Sequence, residues 1–454
     1  MTARLLHVEA VSDPESAWHD IDSFNQAHPG MNPFVRRAWL QTWLTHFRPT
    51  KGRAEFLFIR DGEGPVVAYL PCWVTQMPLA PAVYRFMGEA RANSLDLPSV
   101  APMDEVLETL ARHFQRMRRG VILRLYDVDE RSALAAALAR IKGVARIQLY
   151  PCPRAELWDG WEPYAQGRLS SKRRSEMRRL ERRLSALGPV DVVLIRDATS
   201  LARHERLVHE LFELHRLRFE RILNTSGFSN PRMRPFYEEL IARTAQEGTL
   251  FLSVMTIGGQ AVSFVLALAE HDRVIDCIPA FDPSLAPFSV GHLHLFRILR
   301  ELPGAGIHVF DFSKGGSVYK AKWATSTSAN LRLAVPYRLS PAGRAWFAAL
   351  NGRDAAKVYL RRRGVTAWIK RALGTLSYWR DAAGAEAAEP KPVPLDPSGL
   401  DVTQPVSLIA AASWSPPVRS AVFRAIAKGA SAYVTGQAVA LLWPDGRSEA
   451  ILLS

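Results

Sequence analysis

Hydrophobic and polar positions change rhythm several times along the chain, and the changes mark its elements. From residue 249 to 269 the sequence is free of charge and rich in β-branched and aromatic residues. Its length approaches that of a membrane span, but Gly258 and Gly259 interrupt it near the middle. A Gly-Gly pair between two such runs is the two-residue connection of a type I′ or II′ hairpin, where positive φ is required. The stretch therefore predicts antiparallel strands at 249–257 and 260–269 in place of a membrane helix. A turn at 271–273 leads to a third strand, 274–280, which completes a meander. Beyond it the period lengthens: within 292–302, Phe296, Leu299 and Leu302 fall on one helical face.

A similar order occurs earlier. Residues 32–47 place Trp39, Trp43 and Phe47 four apart, a core stripe, and are followed by apolar 55–59, a Gly-bearing turn at 61–64, and apolar 66–74. Helix, strand, turn and strand recur between 201 and 269, which reads as a pseudo-repeat of two related α/β units. Strands at 121–126 and 145–150 flank a helix at 130–141 and close the first unit. In the second, Val208, Leu211, Phe212, His215, Phe219 and Ile222 mark one face of a helix over 201–222. A helix at 236–246 and strands at 307–312 and 329–337 follow. The expected fold is α/β, in detail α+β, with mixed, mainly antiparallel sheets flanked by helices. Five regions are expected: a first unit over 1–155, a second over 156–345, a basic amphipathic helical segment over 346–381, an Ala/Pro/Glu/Asp linker over 382–405, and a small extension over 406–454. The extension carries a helix at 418–427 and a hairpin at 433–443.

Charge sharpens this picture. The net charge of +14 is concentrated: residues 168–183 hold eight Lys/Arg against two Glu, and 352–380 hold eight against Asp354 alone. The rest is nearly neutral, which argues against a general nucleic-acid coat. In the first cluster Met177, Leu180, Leu184 and Leu187 form a narrow apolar stripe with arginines on the other faces. That is either a solvated basic helix or a cationic wall, with Arg178 and Arg179 in it, for the phosphates of coenzyme A or a nucleotide-linked substrate. The second cluster either caps its own core or touches an anionic membrane surface or partner. Cys72, Cys152 and Cys277 are three, far apart and without ligand spacing, so a reducing compartment is expected and neither zinc nor a disulfide framework. The first residues lack the apolar run of a signal peptide. A cytoplasmic protein is expected, with peripheral contact to the inner membrane left open.

The candidate chemistry gathers where the meander meets the helix. A Ser289-Val290-Gly291-His292 turn opening a helix after a strand aims free backbone N–H groups and the positive dipole end at one spot, which suits a pyrophosphate; a plain turn is the alternative. His215 reads as a core histidine, and Arg218 as a contact for carboxylate or phosphate. A polar, turn-rich loop at 224–235 is placed to cover an acceptor pocket.

Phe281, Asp282, Pro283, Ser289 and Gly291, then Phe310-Asp311-Phe312 with Gly315, and Tyr319, Lys320 and Trp323 carry a resemblance. They are similar to the C-terminal half of GNAT-like acetyltransferases of the CelD (cellulose-biosynthesis) type, themselves similar to Fem-type peptidyltransferases that build cell-wall crossbridges. His215, Arg218 and Phe219 match the same pattern, and residues 93–98 (Asn-Ser-Leu-Asp-Leu-Pro) resemble its first half. Val290 stands where the family commonly has Pro, and the acidic residue that often follows the Gly is absent after Gly315. The resemblance implies tandem GNAT-like units that move an acetyl group from acetyl-CoA, a co-substrate, to an amine or hydroxyl of a small-molecule or saccharide acceptor in exopolysaccharide or envelope synthesis. Ser289, Val290, Gly291 and His292 would hold the cofactor. Tyr319 would protonate the departing thiolate, Lys320 would hold an anionic part of the acceptor, and Asp276, Asp311 and His292 are the base candidates. Two alternatives stay open: a Fem-type transferase using aminoacyl-tRNA, the one nucleic acid expected, and a non-catalytic subunit of a polysaccharide synthase that docks through 352–380.

Overall fold

The computed structural model describes residues 5–89, 91–223, 228, 230–363, 392–395, 404–435 and 437–453, apart from the side chains of 219–223. The first half of the chain forms β1 (Leu6–Val11), α1 (Pro14–Ala27), α2 (Arg37–Phe47), β2 (Arg53–Asp61), β3 (Val66–Thr75), β4 (Ala82–Phe86), α3 (Met103–Arg116), β5 (Val121–Asp129), α4 (Ala133–Ala139) and β6 (Ala145–Glu156). Two helices, α5 (Trp161–Arg168) and α6 (Ser171–Leu184), lead onward. The second half forms β7 (Val190–Ile195), α7 (Ala198–Arg203), α8 (Glu205–Leu223), α9 (Met233–Glu247), β8 (Leu250–Ile257), β9 (Gln260–Glu270), β10 (Arg273–Phe281), α10 (Val290–Glu301), β11 (Val309–Asp311), α11 (Val318–Ala321), β12 (Ser326–Tyr337) and α12 (Pro341–Arg362).

All twelve strands join one sheet in the order β1-β2-β3-β4-β5-β12-β6-β11-β10-β9-β8-β7. The halves come in from opposite edges with matching topology. Each is antiparallel except for one parallel pair beside the centre, β4 with β5 and β10 with β11, bridged by helices α3 and α10 because a parallel return needs a crossover. The centre is an exchange of strands. The last strand of the second half, β12, pairs with β5 of the first; the last strand of the first, β6, pairs with β11; and β12 and β6 pair with each other. Asp129 of β5, Arg154 of β6, Arg273 of β10 and Asp311 of β11 meet there, with Arg154 Nε 2.8 Å from Asp311 and Arg273 Nη1 3.1 Å from Asp129. Arg154 also pairs with Asp129.

The sequence pattern explains the elements. Gly258 and Gly259 adopt φ of 56° and 80°, both positive as a type I′ turn demands, and join β8 to β9. The α2 stripe of Trp39 and Trp43 is buried against α9 and Trp73. Three expectations change. The helix over 201–222 is broken at His204 into α7 and α8, where Asp197 and Ser200 form a capping box that starts α7 as a separate turn. The strand at 307–312 keeps only the three residues of β11. The hairpin at 433–443 is the start of a small second sheet.

That sheet holds β13 (Val393–Pro394), β14 (Ser431–Thr435), β15 (Ala438–Leu442) and β16 (Ser448–Leu452), with α13 (Leu408–Ala411) and α14 (Pro416–Lys428) beside it. Its core is continuous with that of the second half. Phe423 of α14 lies edge-on to Phe288, ring centroids 6.3 Å apart, and Arg183 of α6 donates to the Ala427 carbonyl. The basic segment expected at 346–381 is described only to residue 363, as part of α12, and most of the expected linker lies outside the described residues. Among those residues no helix is long and apolar enough to cross a membrane.

Candidate functional site

Strands β10 and β11 pair only through Arg273–Ile275 and Val309–Asp311, while β10 continues for six more residues. Past the pairing, β10 bulges between Asp276 and Ile278 against β9, and the chain after β11 turns away at Ser313, φ 59°. The strands therefore part like a V. Pro279 sits on the open edge, where its missing N–H leaves no ladder bond unmade. Asn93 Nδ2 donates to the Asp276 carbonyl at 2.9 Å and Arg218 Nη1 to that of Pro279 at 3.0 Å, so side chains take over from the absent strand.

A cavity of about 250 Å³ opens beside this V, walled by β9, the end of β10, the start of α10, Arg218 and Tyr319. Ser289 is left-handed, φ 54°, at the N-cap of α10, an uncommon conformation for a residue with a side chain. Its carbonyl accepts from the amides of His292 and Leu293, so the unclaimed first-turn N–H groups are those of Val290 and Gly291. The Val290 side chain is buried in the core. Gly291 lines the cavity, and a Cβ there would come to 3.0 Å from the Phe281 ring, so a side chain would have to push that ring aside.

Around this mouth the ionisable groups are unusual. Asp276, one residue past the β10–β11 pairing and behind the cavity wall, is buried, its Oδ1 has no hydrogen-bond partner among the described residues, and burial pushes its carboxyl up to about 7 despite the nearby charges of Lys320 and Arg218. Tyr319 lines the cavity, and burial, then the charge of Asp276, holds its hydroxyl above the usual range. His292 is pushed down to about 4 by burial and by Arg173. Its Nδ1 accepts from Trp323 Nε1 at 3.0 Å, which places the ring proton on Nε2.

The remaining expected residues stand elsewhere. Asp311 is held by Arg154 and Arg273 and by the Ser313 amide, at the joint of the halves rather than on the cavity wall. The Lys320 ammonium donates to the carbonyls of Phe312 at 2.5 Å and Lys314 at 2.8 Å and so fixes the loop before α11. Arg178 is exposed on α6 and Arg179 pairs with Glu176. The α6 arginine that reaches His292 is Arg173, whose guanidinium lies 5.2 Å from the Trp323 ring centroid with Nη2 3.5 Å from His292 Nδ1. Sequence reasoning missed it, although Arg173, Met177, Leu180 and Leu184 share one helical stripe. His215 is a buried core residue against Phe228, and the rest of the 224–235 loop up to 229 lies outside the described residues, with Phe228 excepted.

The turn that opens a helix after the meander is where the sequence pattern put it; the parallel pair that parts beside it and the bulge in β10 were not legible there. Residues 171–321 match the acetyltransferase (GNAT) domain family. The GNAT match runs from α6 to α11, short of β12 and α12, and the first half repeats the strand order of the second. No curated protein matches the chain in sequence. Among solved structures, FemX is similar at 12% identity over 76% of this chain and 100% of FemX, with a TM-score of 0.52. L-PGS from Bacillus licheniformis is similar at 13% identity over 75% and 97%, TM-score 0.44. The tandem GNAT protein from the clavulanic acid biosynthesis pathway is similar at 12% identity over 74% and 99%, TM-score 0.36. The FemX likeness concerns the fold: a large mixed sheet flanked by helices.

Proposed function

We propose that the chain is an acyltransferase that moves an acetyl group from acetyl-CoA to an amine or hydroxyl acceptor. The observation that carries this reading is the V between β10 and β11, opening onto the Val290 and Gly291 amides. Unclaimed N–H groups at a helix N-terminus suit a diphosphate, and a glycine at Gly291, where a Cβ would crowd the Phe281 ring, leaves the backbone open to its approach. Bound there, acetyl-CoA would supply an activated thioester. The chain's own groups handle the protons. Asp276, at the bulge with an uncommitted oxygen and a carboxyl poised near neutrality, takes the acceptor's proton. Tyr319, protonated at physiological pH, gives one to the leaving sulfur. His292 offers an Nε2–H donor at the mouth, and Arg173 adds positive charge.

Acetyl-CoA titration by calorimetry tests the reading, with thiol release over an acceptor screen as its activity readout. Gly291→Glu should abolish binding by setting a carboxylate and bulk at the amide cradle. Binding that survives this substitution would overturn the assignment. Placement in exopolysaccharide or envelope synthesis rests on the sequence resemblance alone.

The outward arginines of α6, Arg178 among them, support a second reading, transfer from aminoacyl-tRNA in the Fem manner. In that case tRNA binding would fall steeply with salt, and the slope would shrink when Arg178 and Arg179 are neutralised. A chain that binds neither ligand but co-purifies with a glycosyltransferase through 352–380 would be a scaffold.

A further inference from the structure

A second cavity, about 320 Å³, lies where the two halves exchange strands, walled by β5, β6, α12 and the loop after β11. Its volume is at the small end of ligand pockets. Its polar groups are incompletely matched. Glu89 Oε2 is buried with no hydrogen-bond partner among the described residues, and its nearest ion-pair cation there, Arg85, stands 3.9 Å from the other oxygen. Arg124, 8% exposed, bonds Asp354 at 2.7 Å and Tyr126 through Nη2, yet its Nε is also buried without a partner. A buried polar atom left unpaired carries a desolvation cost, and two on one cavity wall mark places where a ligand's polar groups would be welcome.

Charges of both signs line the cavity, Arg124 beside Glu89 and Asp354 on the α12 side with Lys357 and Arg361. Glu89 offers an acceptor to a cation. On the α12 side Lys357 is exposed and has no carboxylate within ion-pair distance among the described residues. Asp127 and Lys314 neutralise each other at 2.7 Å, with Asp127 held left-handed, φ 58°, within β5. Burial raises the Glu89 carboxyl to about 8, and an arriving ammonium would hold it ionised.

The two cavities share no lining residue, but one segment and one hydrogen-bond chain link their walls. Lys314 lines one, Tyr319 at the end of the same loop lines the other, and Lys320 ties the loop's carbonyls. A bonded chain runs from Asp127 Oδ1 to Asn330 Nδ2, from Asn330 to the Asn93 carbonyl at 2.7 Å, and from Asn93 to the Asp276 carbonyl at 2.9 Å.

We propose that this second cavity is an acceptor-binding subsite for a small molecule carrying a primary ammonium and an anionic group, the ammonium against Glu89 and the anion against Lys357. The assignment as acceptor rests on the transferase reading; the binding chemistry does not.

Calorimetry on the full chain with glucosamine 6-phosphate, and with glucose 6-phosphate as the probe lacking the ammonium, tests it. The expected result is binding of the first at least tenfold tighter than of the second. Glu89→Gln should erase that difference, and Lys357→Ala, an exposed change, should weaken both probes several-fold. A thermal melt reports whether Glu89→Gln is folded, and Lys357→Ala keeps the test standing if it is not. Equal affinity for the two sugars, no heat with glucosamine 6-phosphate, or a preference that survives Glu89→Gln overturns the proposal. Acetyl-CoA titrated in the same cell separates the two readings: acetyl-CoA binding without the sugar sinks the subsite alone, and sugar binding without acetyl-CoA sinks the transferase and the acceptor role with it, leaving only the ammonium-and-anion site.

Discussion

Trp323 donates its indole N–H to His292 Nδ1 at 3.0 Å, across the mouth of the candidate cofactor cleft. The bond fixes which imidazole nitrogen carries the proton, and burial, assisted by Arg173 over the same indole, keeps the imidazole neutral. Trp323→Phe keeps a ring for Arg173 but removes the donor. Nitrogen-resolved NMR of His292 should show a nearly pure Nε2–H tautomer in the parent and a mixture in the variant, with about 1 kcal/mol of stability lost. An unchanged tautomer would mean that the indole does not set it.

Asp276 should govern the rate. Its carboxyl titrates near 7, so turnover is expected to rise with pH through that value as the base form appears. Asp276→Asn should lower kcat by about 100-fold or more and flatten the rise. The stability effect has a definite sign. The folded state holds this proton more tightly than the unfolded chain, so the stabilisation is complete below the ordinary aspartate value and is lost as pH rises toward 7. Above pH 7 the Asn variant should therefore melt higher than the parent. A variant that keeps full activity removes Asp276 from the chemistry.

Acid should loosen the second half through its histidines. Burial, assisted by Arg218, Arg173 and Arg297, pushes His215 to about 4, His292 to about 4 and His294 to about 3. The unfolded chain takes up protons below about 6.5 that the folded one refuses, so stability falls as pH drops from 6.5 toward 4. His294, bonded to Ser253 Oγ at 2.8 Å and Ser263 Oγ at 3.0 Å, is the most enclosed. Melting curves across this window should show the decline, and His294→Gln should reduce it. A flat profile would contradict the neutral assignment.

The four-charge cluster at the joint should be sensitive to removal of one member. Asp311→Asn takes one carboxylate from the buried Arg154 and Arg273, which keep Asp129 and, for Arg273, Glu270, so a loss toward the lower end of the about 3–5 kcal/mol for breaking a buried pair is expected. Denaturant unfolding measures this. A loss below about 1 kcal/mol, the range of exposed pairs, would show that water relieves the cluster.

Local pattern carried most of the fold. The Gly258-Gly259 turn, the Trp39 and Trp43 stripe, the three-strand meander and the pseudo-repeat each rest on contacts between near neighbours in sequence, and periodicity reports those. The exchange of β6 and β12 was not legible, because nothing in either strand says which parallel pair it will flank. The site divides in the same way. Ser289 to His292 could be found from a turn feeding a helix. Arg173 was obscured among eight cations, although its place on the apolar stripe distinguished it from Arg178 and Arg179. Asp311 and Lys320 have the residue types that chemistry uses, but their partners, Arg154 and three loop carbonyls, come from distant or irregular backbone that no local pattern encodes.

The crossed-over central strands also set an order of events during synthesis. As the chain leaves the ribosome, β5 gains its inner neighbour only after residue 337 has emerged, so the leading half waits with an open flank while more than half as much chain again is made. An unpaired sheet flank invites association with other chains. Slow or interrupted translation between β6 and β12 would therefore be felt as aggregation of nascent protein, even where the finished molecule is sound.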